Sequence, residues 1–155
     1  MKGNEKVIET LNALLADELT AINQYMVHSE MCADWGYGKL HDVVEKRAIQ
    51  EMKHAEALIG RIIFLEGKPT VSQLNLIHIG AEVKKQLEND RDAEIDAIHK
   101  YNEAIKLAGN LADNGSRQLL ISILKDEEDH LDWIETQLDQ IDQMELQNYL
   151  VEQVD

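Results

Sequence analysis

The chain has one cysteine, one proline, one phenylalanine and only 5% aromatic residues in 155 positions. A single cysteine, Cys32, closes no disulfide within the chain and excludes iron–sulfur and four-cysteine metal sites. A buried, inert thiol is the simplest expectation for it. A single proline, Pro69, leaves long stretches free of helix breakers. No apolar run is long enough to span a bilayer, and Met1 to Glu5 has no signal-peptide character, so a cytoplasmic protein without a membrane partner is expected. Basic charge is also scarce: 15 Lys and Arg stand against 30 Asp and Glu, a net charge of −15. That balance argues against nucleic acid, which needs a basic footprint. It suits attraction of cations, although solubility alone accounts for it.

What the chain does contain is helix former, chiefly Ala, Leu, Glu, Lys and Gln. Four long amphipathic segments are expected within one domain over residues 1–155. The first runs from about Glu5 to Asp34, with Ile8, Leu11, Leu15, Ile22 and Tyr25 stepping by three or four, and Glu18 on the same face. The second runs from about Lys39 to Glu66 and is stopped by Gly67 and Pro69. An apolar connector with Val71, Leu74, Leu76 and Ile77 leads to a third segment, Gly80 to Ala108, and a fourth, Ser116 to Met144. Glu145 to Val154 reads as a short fifth helix. It has no evident task in a lone bundle and so favours assembly. Short breaks after the first and third segments imply antiparallel hairpins, and the connector is long enough to cross the bundle. The fold class is therefore all-α: an antiparallel four-helix bundle with one long crossover and a short C-terminal fifth helix.

On these helices Glu-x-x-His occurs twice, at Glu51–His54 and Glu127–His130. Each copy has a lone glutamate 33 residues upstream, Glu18 and Glu94 (51−18 and 127−94). Three residues are nearly one helical turn, so the Glu and His of each motif share a face. The midpoint between Glu18 and its motif falls near Trp35–Gly36, and that between Glu94 and its motif near Leu111; both lie in breaks. In antiparallel hairpins each glutamate is then level with its partner motif. Four carboxylates and two imidazoles converge in one core layer. Burying them uncompensated is very costly, and two divalent cations supply the compensation. Around this layer, Tyr25 is placed to bond a ligand or donate an electron, with core packing an equal alternative, and Trp133 to pack nearby. Asp90 and Asp126 are weaker candidates to support the ligands. The remaining histidines, His28, His41, His78 and His99, read as surface or ordinary core.

Met52 is about 100° round the helix from Glu51 and points away from the layer. With Ile49, Ile59 and Ile63 it forms an outer apolar strip, matched on the first segment by Leu19, Ile22 and Met26. Such a strip implies a partner subunit, most simply across a twofold axis, where two Met52 thioethers meet. Spacing alone favours packing as their role.

The chain resembles a bacterioferritin over nearly its whole length. The resemblance rests on the runs Leu14–Tyr25, Glu51–Ala55, Asp126–Trp133 and Leu146–Leu150. It implies a ferritin-like cage of 24 subunits built from twofold dimers, with haem b, one per subunit pair, held between paired Met52 residues. It implies a ferroxidase centre of two iron ions per subunit on Glu18, Glu51, His54, Glu94, Glu127 and His130, using dioxygen or hydrogen peroxide, with ferric mineral stored inside. A small ferredoxin is the implied partner for iron release. Some relatives have an inner-surface iron site where this chain has Lys46 and Gln50, so that site is expected to be absent or altered. Asp34, Glu66, Asp132 and Asp139 match positions associated with cation pores. The competing classes are a di-iron or manganese–iron carboxylate oxidase that forms no storage cage, a haem-binding electron-transfer bundle that needs Met52 but not the six ligands, and a purely structural helical bundle.

Overall fold

The computed structural model describes residues 1–155. It is all-helical: α1 (Glu5–Asp34), α2 (Gly38–Phe64), α3 (Val83–Asn110), α4 (Asn114–Met144) and α5 (Leu146–Val151). The helices start where side chains satisfy free amides. The Asn4 carboxamide accepts from Lys6 N, Glu82 from Lys84 and Lys85 N, and Asp113 from Ser116 N. The third helix thus begins at Val83, after its Glu82 cap, rather than at Gly80.

Helices α1, α2 and α3 end in the same way. A residue with positive φ turns the chain, and the next amide bonds back into the last turn. After α1 the turning residue is Gly36 (φ 82°), with Tyr37 N donating to Cys32 O at 2.9 Å. After α2 it is Glu66 (φ 62°) rather than Gly67, with Gly67 N donating to Ile62 O at 2.9 Å. Gly67 is small for another reason: a Cβ there would meet Ile8 Cγ2 at 2.7 Å. After α3 it is Ala112 (φ 56°).

Helices α1 and α2 pair as one antiparallel hairpin and α3 and α4 as the other. Residues 65–82 cross between them without regular structure. This strap is held by polar groups along α1. Asn12 donates to Lys68 O and accepts from Thr70 N, Thr20 accepts from Asn75 N, and Gln24 accepts from His78 N. His28 Nε2 accepts from Gly80 N at 3.0 Å. His28 is therefore no ordinary core residue. Its Nδ1 donates to Asp90 Oδ1 at 2.9 Å, and Asp90 also accepts from Gln24.

The core has two main apolar blocks. One, around Leu11, Leu15, Leu58, Ile62 and Leu120, lies at one end, and the other, around Leu40, Leu87, Ile134 and Ile141, at the opposite end. Each fully buried leucine contributes roughly 1.5–3 kcal/mol. The C-terminal helix closes the second block: Tyr149 is fully buried there, and its hydroxyl donates to Gln137 Oε1 at 2.7 Å. The expectation that this segment has no task in a lone bundle is therefore wrong, because α5 completes the subunit's own core.

Candidate metal centre

Between the apolar blocks lies a polar layer. Glu18, Glu51, His54, Glu94, Glu127 and His130 are all at most 7% exposed. They form two overlapping groups, Glu18–Glu51–His54–Glu127 and Glu51–Glu94–Glu127–His130, in each of which the prospective ligand atoms lie within 4.8 Å of one another. Glu51 and Glu127 belong to both. His54 Nδ1 is 3.2 Å from Glu127 and 3.6 Å from Glu18; His130 Nδ1 is 3.2 Å from Glu51 and 3.4 Å from Glu94. Each of the six residues has one buried atom without a hydrogen-bond partner: Glu18 Oε2, Glu51 Oε1, His54 Nδ1, Glu94 Oε2, Glu127 Oε1 and His130 Nδ1. Buried polar atoms are rarely left so, and here the orphans of Glu18, Glu51, His54, Glu127 and His130 each lie within 4 Å of another. Carboxylate oxygen with imidazole nitrogen is a donor set for iron, manganese or zinc, so the residues fit two divalent cations.

The electrostatics agree. Burial, then the charge of Glu18, pushes the Glu51 carboxyl well above the ordinary range; burial, then Glu51 and Glu94, does the same to Glu127. Burial opposes charge on His54 and Glu94 as well, but close partners outweigh it. Glu127, Glu18 and Glu51 raise the His54 imidazole, and His130 and Glu127 lower the Glu94 carboxyl. Without metal, the layer holds protons where cations fit.

Both histidines turn Nδ1 inward and anchor Nε2 behind. His54 Nε2 meets Asp126 Oδ2 at 2.8 Å, and His130 Nε2 meets Gln50 Oε1 at 2.5 Å. Nδ1 can offer a lone pair only if Nε2 carries the proton, so Asp126 and Gln50 are the acceptors that fix the tautomers. Asp90, by contrast, touches none of the six; its partners are His28 and Gln24, and the expectation that it supports a ligand is corrected. Tyr25 donates to Glu94 across the bundle. Tyr101, absent from the residues expected around this layer, donates to Glu18. Both tyrosines are fully buried. The signal for Tyr101 is a repeat: it follows Glu94 by seven residues, as Tyr25 follows Glu18. Trp133 lies beside the layer, not in it. Its ring carries the Arg47 guanidinium at 4.8 Å, and Arg47 also faces the Tyr25 ring at 5.7 Å.

A cavity of about 840 Å³ connects this layer with the exterior beneath the strap. Its inner wall includes Glu18, Tyr25, Glu94 and Tyr101, and its outer part Asn75, His78, Asp96 and Lys100. Lys100 bridges Asp96 (2.9 Å) and Asp17 (3.2 Å) there. A neighbouring hollow of about 960 Å³ under Thr70–Asn75 touches none of the six residues. Met52 points outward and is 44% exposed, on the same side of α2 as exposed Ile49 and Ile63; Met26 of α1 is exposed as well. Leu19, Ile22 and Ile59, expected in the same strip, turn partly inward against the core. Asp34, Glu66, Asp132, Asp139 and Lys46 are exposed.

A crossover four-helix bundle with a doubled Glu-x-x-His layer in its core is the ferritin-like arrangement. The ferritin-like domain family matches residues 8–144. The chain is 46% identical to a bacterioferritin of Brucella melitensis over 90% of its own length and 86% of the relative's. It is 42% identical to a bacterioferritin of Rhodobacter capsulatus, over 96% and 92% of the two chains. It is also 43% identical to a bacterial ferritin of Synechocystis, over 99% of each. The chain belongs to the ferritin-like family, within its bacterioferritins.

Proposed function

We propose that this protein stores iron and oxidises Fe(II) at the buried layer. The observation that carries the reading is the set of six orphaned ligand atoms in two groups sharing Glu51 and Glu127. In this reading Glu51 and Glu127 bridge two ferrous ions, Glu18 and His54 complete one position, and Glu94 and His130 the other. Two Fe(II) and dioxygen, with two protons, give two Fe(III) and hydrogen peroxide; with peroxide as oxidant, two Fe(II) and two protons give two Fe(III) and two waters. The carboxylates stabilise the higher charge of the ferric product. Protons displaced from Glu51 and Glu127 by the arriving cations are available close by. The outer part of the cavity sets Asn75, His78, Asp96 and Lys100 beside Leu74 and Leu76, and its charged groups suit small charged reactants. The test is stopped-flow Fe(II) oxidation. A Glu18→Ala, Glu127→Ala double variant should lose the fast phase by about a hundredfold or more; unchanged kinetics would sink the reading.

The same proposal treats residues 1–155 as one cytoplasmic domain that assembles through the outer strip into twofold dimers and then a 24-subunit cage around ferric mineral. Exposed Met52, on one side of α2 with Ile49 and Ile63, supports a haem b between subunits, which one Met52 thioether from each would hold. That haem would carry electrons inward from a small ferredoxin for iron release. Met52→Leu should abolish the bis-methionine spectrum, and retained haem with unchanged axial ligation would refute this part.

A further inference from the structure

The metal layer is built on a repeat. A shift of 76 residues (94−18 and 127−51) carries Glu18 to Glu94, Tyr25 to Tyr101, Glu51 to Glu127 and His54 to His130. The contacts obey the same pseudo-twofold relation. Tyr25 of the first half serves Glu94 of the second, and Tyr101 of the second serves Glu18 of the first. The same relation pairs position 50 with position 126. Each of these stands behind the histidine of the opposite half, yet one is glutamine and the other aspartate. A second departure lies on the same side. Arg47 is 5% exposed, with Nε and Nη1 unpartnered, beside the tyrosine that serves Glu94. Its repeat equivalent is the apolar Ile123.

Both departures act in one direction. A carboxylate behind an imidazole draws its N–H proton and makes the opposite nitrogen a stronger donor; a neutral amide does so less. A buried, unpaired guanidinium opposes a nearby cation. We propose that the two metal positions are unlike, and that divalent metal binds first and more tightly at the His54 position, which Asp126 backs, than at the His130 position, which Gln50 backs. Asp126 and Gln50 act here as positioning residues through the histidines they hold. The inference rests on the ferroxidase reading. It adds that one ion is held firmly while the other is the readily exchanged one.

The experiment uses the intact, metal-free protein, titrated with Co(II) and followed by visible absorption. A parallel crystal is given one equivalent of Zn(II) per subunit, located by anomalous scattering. The expected result is two steps separated by about tenfold or more, with zinc over His54. Asp126→Asn should weaken the first step by about 10–100-fold, and Gln50→Glu should tighten the second. Combining the two should move zinc density from the His54 position towards His130, a redistribution that general loosening of the fold would not produce. Zinc divided equally in the wild type, or left in place by the double variant, overturns the inference and leaves the ferroxidase reading standing. Failure to take up metal at all overturns both.

Discussion

Around the first Glu-x-x-His, the outward residues of α1 and α2 include Met26, Ile49, Met52 and Ile63; their equivalents on α3 and α4 are Asn102, Lys125, Glu128 and Asp139. All eight are exposed. Inside, the same two hairpins present matching glutamates, histidines and tyrosines. The contrast separates two constraints. Two cations sharing two carboxylates require a nearly symmetric interior, because each position needs the same donors at the same height. Nothing requires a symmetric exterior, so at these four equivalent places one hairpin is apolar and the other polar. Met52 and Glu128 mark that division at equivalent places within the two motifs.

The sharpest way to break this comparison is to charge each exterior in turn. Ile49→Lys with Met52→Lys should convert a large assembly into small species on sedimentation. Glu128→Lys, at the equivalent place on the other hairpin, should leave the assembly intact. Equal effects would show that the exteriors do not differ in role.

The interior makes a prediction about pH. Burial first, then neighbouring carboxylates, hold Glu51 and Glu127 above their ordinary value of 4.5. The folded, metal-free chain therefore binds more protons there than the unfolded one. The stability this brings is present in full below the ordinary value and is lost as pH rises through the folded one. His54, also raised, has the same sign; Glu94, lowered, has the opposite sign, and its contribution is lost only in acid. The melting temperature of the metal-free protein should fall from about pH 5 to about pH 8. Saturating Zn(II) should flatten or reverse the slope, since metal competes with these protons. A metal-free profile rising over the same range would contradict the proton-filled interior.

A smaller effect tests the symmetry itself. Tyr25→Phe and Tyr101→Phe each remove one hydrogen bond to a buried glutamate and should lower metal-free stability by about 1–3 kcal/mol, to similar extents. Denaturant midpoints will show it; a loss in one variant only would mean that the two tyrosines are not equivalent.

Much of this interior is legible in the sequence, for a definite reason. Helical period and antiparallel pairing convert spacing directly into height and face, so Glu18, Glu51, His54, Glu94, Glu127 and His130 meet where the glycine breaks say they should. Tyr101 was legible on the same terms, through its seven-residue interval from Glu94. Other contacts were not. That Gln50 rather than a carboxylate stands behind His130 depends on side-chain reach between α2 and α4, which periodicity does not encode. The strap was harder still. Its residues form no regular structure, and its path is set by single bonds to Asn12, Thr20, Gln24 and His28. Those four form a polar stripe on α1, but a stripe does not say what covers it. The role of α5 is not legible either, because periodicity does not pair Tyr149 with Gln137.

Neither hairpin contains a complete donor group: the His54 position takes Glu127 from the second hairpin, and the His130 position takes Glu51 from the first. Were the hairpins separate chains, the missing carboxylate would be supplied at whatever concentration the protein happened to have, and dilution would strip the metal. Residues 65–82 remove that dependence. By tethering the hairpins, and by being fastened along α1, the strap turns an encounter between two molecules into a fixed effective concentration within one. Metal affinity per subunit should then be the same in a dilute solution as in a concentrated one.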